Sequence, residues 1–135
     1  MYGAILGDMI GSPYEFDMGN KSKEFPLFSE RSTYTDDTVM TFAVAEAFLN
    51  AGPDAEMEWI KTRLVESMHR YGEMYPDAGY GGRFAMWLFL EGNEPYNSWG
   101  NGSAMRISSV AWLFNDLEMV RHMARLSAAV THNHP

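Results

Sequence analysis

The sequence predicts an all-α protein. Three observations carry that expectation. Apolar residues recur at gaps of three and four from Met57 to Tyr75, the spacing of one helix face. The run after Thr35 is apolar nearly all round, as a buried central helix would be. No stretch shows the alternation that marks a half-buried strand.

The elements follow in order. Residues 2–11 combine Ala4, Ile5, Leu6, Met9 and Ile10 with Gly3, Gly7 and Gly11. Glycine costs a helix about 1 kcal/mol against alanine, so three in one helix suggest close packing on a neighbour. Asp8 within this apolar segment is either partnered or faces water. Pro13 ends the helix. Residues 14–33 form a polar, aperiodic loop that carries Pro26, long enough to suggest a functional role. Thr35 is placed to cap the next helix, with Asp36 and Asp37 in its first turn and its end near Asn50. Ala51-Gly52-Pro53-Asp54 breaks the chain. The helix with Met57, Ile60, Leu64, Met68, Tyr71 and Tyr75 follows and closes at Pro76. Gly79-Tyr80-Gly81-Gly82 is a turn before a short helix, Phe84 to Leu90. Residues 91–103 read as loop, Ser103 to Phe114 as one helix, and Leu117 to Val130 as another, separated by Asn115-Asp116. Thr131-His132-Asn133-His134-Pro135 is the tail.

At 135 residues the chain is one domain, 1–135, with room for one core. Cysteine is absent, which removes disulfides and thiolate sites and fits a cytoplasmic setting. No secretory leader is expected, because Asp8 interrupts the first apolar run and no basic segment precedes it. No apolar segment is long enough for a bilayer, so no membrane partner is expected. The formal charge is −8 with a pI near 4.8. Duplex binding needs a basic face to replace counterions. Lys21, Lys23, Arg83 and Arg106 are scattered, so no nucleic-acid partner is expected either, although a small anion could bind locally. Eleven methionines read as core filler.

Four segments could carry chemistry. Thr35, Asp36 and Asp37 offer the oxygen ligands and charge a hard divalent cation takes. The same three residues also make an ordinary capped helix with an acidic first turn, and alone they leave both readings open. Glu15 lies just past a helix end, where a carboxylate could act as a base or hold a water, or simply face solvent. Gly100, Asn101, Gly102 and Ser103 lead into a helix with Arg106 beyond; such loops can present N–H groups to phosphate, although most glycine-rich loops only turn the chain. His132 and His134 lie two apart and do not share a helix face, so a zinc site there has little support.

Together these segments resemble the ADP-ribosylglycohydrolase family. The matching blocks are Gly3-Ala4-Ile5-Leu6-Gly7-Asp8 with Gly11-Ser12-Pro13-Tyr14-Glu15, then Tyr34-Thr35-Asp36-Asp37-Thr38, then Gly100-Asn101-Gly102-Ser103-Ala104-Met105-Arg106, then Thr131-His132. The resemblance implies a compact multi-helix fold, two magnesium or manganese ions, and hydrolysis of the N- or O-glycosidic bond between ADP-ribose and an acceptor. By that resemblance Thr35, Asp36 and Asp37 are metal ligands, and Glu15, Asp36 and Asp37 are the catalytic acids. Gly100, Asn101, Gly102, Ser103 and His132 contact the ADP-ribose.

Family members continue past the Thr-His block and supply an Asp-x-Asp-Thr segment that completes the metal site. This sequence holds no Asp-x-Asp: Asp8, Asp17, Asp54, Asp77 and Asp116 stand singly. The expectation is therefore a fold truncated at the C-terminus, with an incomplete metal site. Apolar faces should be bared, notably on the helix after Thr35, and should favour a homo-oligomer, helix exchange being one form of it. The competing expectation is a non-catalytic helical module that binds ADP-ribose or serves structure alone.

Overall fold

The computed structural model describes residues 1–16, 22–52 and 54–134, and the backbone alone at Glu91. Positions 17–21 of the expected loop, Pro53 of the break and Pro135 of the tail lie outside the described residues. All regular structure among those described is helical.

Helix α2, Asp36–Ala51, is the centre of the molecule. Met40, Ala43, Val44 and Ala47 are at most 1% exposed, as the all-round apolar pattern predicts. Gly52 ends it with a positive φ of 86°, a conformation that glycine adopts without a Cβ clash. Helix α3, Met57–Met74, lays Ile60, Leu64 and Met68 against α2. Burying such side chains contributes about 1.5–3 kcal/mol each. Of the predicted stripe, Met57 and Tyr75 at the two ends are exposed instead. Gly72 lets Leu88 pack closely on α3: a Cβ there would sit 3.2 Å from the Leu88 methyl carbons, which would have to shift by a few tenths of an ångström.

Helix α4, Gly82–Met86, continues as a π turn through Trp87–Glu91. The expected plain helix over 84–90 is thus widened. Trp87 and Leu88, adjacent in sequence, are both buried there. The Trp87 indole donates to the Glu94 carbonyl at 2.9 Å, which draws the following loop over the ring.

The expected single helix over 103–114 is broken into α5, Gly102–Met105, a 3-10 turn Ile107–Ser109, and α6, Val110–Leu113. Arg106 leaves helical geometry at φ −89° and ψ −1°. Its side chain turns inward to α7 instead of continuing the helix face. Ser108 and Ser109 next to it are weak helix formers. Helix α7, Leu117–Ala129, is capped by Asp116, whose carboxylate accepts from the Met119 N–H at 2.7 Å. It packs Met123 and Leu126, with Val130 just beyond, into the core.

Helix α1, Tyr2–Gly11, differs from expectation. It buries no residue fully, and a Cβ added at Gly3, Gly7 or Gly11 would meet nothing within 4 Å. The glycines therefore do not mark a close packing face. Bared apolar surface is also placed differently than expected. Tyr2 and Phe16 are each 85% exposed, whereas α2 exposes only Phe42 and Leu49 among its large apolar side chains. Because Gly7 lies in an open helical position, Gly7→Ala should stabilise the chain by about 0.5–1 kcal/mol. Urea denaturation should show a higher midpoint with an unchanged slope.

Candidate functional site

The site is built on the first turn of α2. Thr35 adopts an extended conformation, φ −126° and ψ −168°, and its hydroxyl accepts from the Asp37 N–H. This is the predicted cap. Asp8 of α1 adds a second one. Its carboxylate accepts from the Thr35 N–H at 2.8 Å and hydroxyl at 2.6 Å, and from the Thr38 N–H at 3.2 Å and hydroxyl at 2.5 Å. Sequence spacing gave no sign of this contact across 27 and 30 residues. The one available signal was a carboxylate in an apolar helix that needed a partner.

With Asp8 holding the turn from behind, Asp36 and Asp37 project at its open end, both half-buried. Neither pairs with a cation among the described residues. Burial, reinforced by Asp37, Glu15 and Asp8, pushes the Asp36 carboxyl up to about 7 from its ordinary 3.8, against a smaller lowering by its own backbone N–H. Burial and then Asp8 raise Asp37. Glu15 is raised by partial desolvation and the Asp37 and Asp8 charges. Burial and the Asp36 charge push the Tyr80 phenol up to about 12. These carboxylates share one negative field, and among the described residues no cation pairs with it.

The adjacent acids open in different directions. Asp37 lines a cavity of about 330 Å³ with Gly7, Asp8, Gly11, Ser12, Tyr14 and Glu15. Asp36 lines another of about 260 Å³, whose wall includes Gly100, Asn101, Gly102, Arg106 and His132. Small-molecule sites usually span about 300–1,000 Å³. A ligand that reaches from one cavity to the other would pass the Asp36–Asp37 edge.

The second cavity is shaped by the tail. The Ser98 N–H donates to the Thr131 carbonyl at 3.0 Å, and the Asn97 N–H to the Asn133 side-chain oxygen at 3.1 Å. His134 Nε2 meets the Asn97 carbonyl at 3.0 Å, and His132 Nε2 meets the Gly100 carbonyl at 2.9 Å. Residues 97–100 and 131–134 are thereby stitched together. Burial lowers the His132 imidazole against the opposing pull of its Gly100 bond, with Arg106 and His134 adding to the lowering. His132 also has its Nδ1 on the Thr131 hydroxyl at 2.7 Å, so the two histidines do not present a pair of open nitrogens.

The structure thus brings Asp36, Asp37 and Glu15 to the cavity linings, with Thr35 bonded to Asp37 and Asp8 as the cap and lining neither cavity, and Gly100, Asn101, Gly102 and His132 to the neighbouring wall. Ser103 sits in the first turn of α5 and is not part of that wall. Arg106 is the wall residue whose burial the sequence did not reveal: it is 1% exposed. Among the described residues no group of three or more His, Asp or Glu side chains forms a ready metal cage. The donor chemistry nevertheless fits a hard divalent ion. It is all oxygen, and the crowded carboxylates repel one another until a cation offsets them. After giving its proton to Asp8 and accepting from Asp37, the Thr35 hydroxyl keeps one lone pair. Thr35, Asp36 and Asp37 are the residues that would hold such an ion, as part of a six-oxygen shell.

An all-helical fold with an acid pair at a helix start, facing a glycine-rich loop, defines a class that sequence comparison makes specific. The ADP-ribosylglycohydrolase family profile matches residues 1–135, and the chain belongs to that family. It is 30% identical to human ADP-ribosylhydrolase ARH3 across 96% of this chain and 42% of the human protein. The mouse and chicken ADP-ribosylhydrolase ARH3 proteins are 29% and 28% identical, at 42% and 43% of their lengths. The chain spans less than half the length of these relatives. Among the described residues no helix is long and apolar enough to cross a membrane.

Proposed function

We propose that the chain binds ADP-ribose and takes part in hydrolysis of the glycosidic bond between its ribose and an acceptor. The observation that carries this reading is the placement of Asp36 and Asp37 on two neighbouring cavities, one walled by the Gly100–Gly102 loop and His132. The loop side suits the ADP-ribose, and the Glu15 side suits the bond to be cut. A magnesium or manganese ion, when held by Thr35, Asp36 and Asp37, would supply polarisation of ribose oxygens and offset the carboxylate charge. Glu15, its carboxyl raised by desolvation and then by the Asp37 and Asp8 charges, is suited to take a proton from an attacking water. The nearby carboxylates favour the positive charge that develops on the ribose ring. His132 and the loop position the nucleotide portion.

ADP-ribose release from ADP-ribosylated arginine and serine peptides, with magnesium or manganese, tests this reading. Glu15→Gln should lower the rate by about 10²–10⁴-fold, the usual range for a lost general base, with little change in ADP-ribose affinity. Equal rates for both proteins would overturn the role of Glu15. The partial donor set favours a second reading, binding of ADP-ribose without turnover. Calorimetric heat with no product release would select it.

A further inference from the structure

Arg106 is a buried cation without an acid. It is 1% exposed, and no carboxylate pairs with it among the described residues. Its Nη2 donates to the Ser127 carbonyl and to the Thr131 hydroxyl, each at 2.9 Å. Its Nε has no hydrogen-bond partner among the described residues. Burying a guanidinium without a counter-charge is costly, and burial draws its pKa down to about 10. An apolar side chain would pack here at less cost, so the directional bonds need a reason.

Following the protons supplies one. Arginine can only donate. The Thr131 oxygen accepts from Arg106, and its own proton is then free for His132 Nδ1 at 2.7 Å. That bond needs a bare lone pair on Nδ1. The imidazole proton must then sit on Nε2, which faces the Gly100 carbonyl at 2.9 Å. A carbonyl can only accept, so both ends of the chain of bonds agree on one tautomer. The run Arg106, Thr131, His132, Gly100 has one consistent direction. Its last member belongs to the loop that walls the Asp36 cavity. Gly102 of that loop lies directly over both cation and ring: a Cβ there would be 3.8 Å from Arg106 Nη1 and 3.8 Å from His132 Cε1.

We infer that Arg106 is a positioning residue for the ligand loop: through Thr131 it orients the His132 ring that holds the Gly100 carbonyl, and so sets which loop groups face the cavity. This role rests on the proposed binding of ADP-ribose for its functional meaning, but the bond chain is testable without ligand. An Arg106 that only ties α7 to the core would need neither the Thr131 hydroxyl proton nor a defined imidazole tautomer.

The test uses Thr131→Val, which keeps the side-chain size and removes the hydroxyl, and Thr131→Ser, which restores it. In ¹⁵N-histidine spectra of the full chain at neutral pH, His132 should carry its proton on Nε2. Thr131→Val removes the partner of Nδ1 and frees the ring to turn, so it should shift the His132 ring resonances and the Gly100–Gly102 amide resonances, and Thr131→Ser should return both. ADP-ribose affinity by calorimetry should fall about tenfold in Thr131→Val and recover in Thr131→Ser. A wild-type proton on Nδ1, or loop amides that do not move in Thr131→Val, would overturn the positioning role. If ADP-ribose binds neither wild type nor variant while the spectra behave as expected, the ligand assignment fails and the positioning chain stands.

Discussion

Asp8→Ala should cost the fold about 3 kcal/mol, the largest stability loss expected from a single polar side chain here. The Asp8 carboxylate accepts four hydrogen bonds from Thr35 and Thr38, two of them from backbone N–H groups at the start of α2. Hydrogen bonds to charged groups contribute about 1.5–3 kcal/mol each, and a lost cap costs about 0.5–2 kcal/mol. The full sum overstates the loss, because Asp8 is only half-buried and water can reach the freed donors. Asp8→Asn keeps one acceptor oxygen and should fall between wild type and alanine. Urea denaturation of the three proteins checks the order. A loss under about 1 kcal/mol for alanine would mean that Thr35 alone caps α2.

In protein stripped of divalent ions, Asp36→Asn should remove much of the pH dependence of the melting temperature between about pH 4 and pH 7. The sign follows from the direction of the shift. Asp36 titrates near 7 in the folded chain and near 3.8 when unfolded. Below both values each state holds the proton. Between them the unfolded chain has released it and the folded chain has not. The folded state binds more protons, so stability falls as pH rises through that window. Asp37 and Glu15, also raised, act in the same direction and leave a residual slope in the variant. At pH 7.5, magnesium or manganese should raise the wild-type melting temperature and should do so far less in Asp36→Asn. A wild-type profile that rises from pH 4 to pH 7 would contradict the uncompensated acid cluster, and an equal metal response would remove Asp36 from the ligand set.

What could be read from the sequence was local. The α2 and α3 helices, the Thr35 cap and the acidic first turn follow from residues three or four apart, within reach of spacing rules. The start of α7 was legible at Asp116 for the same reason. What escaped depends on distant partners. Asp8 meets Thr35 and Thr38 only once α1 lies beside the start of α2. The break at Arg106 reflects its bonds to Ser127 and Thr131, 21 and 25 residues on. The glycines of α1 misled because a small residue is equally suited to a tight contact and to open space. His132 was legible by resemblance alone, because the Gly100 carbonyl it contacts lies 32 residues earlier.

The Asp8 clasp also couples mobility to ligand capacity. Helix α1 buries no residue fully, and segments with few buried contacts open first. When α1 lifts, Asp8 leaves with it and Thr35 loses the acceptor of its hydroxyl proton. A helix without a fully buried residue therefore sets the order of the acid edge, and local opening and cation affinity become two readings of a single equilibrium.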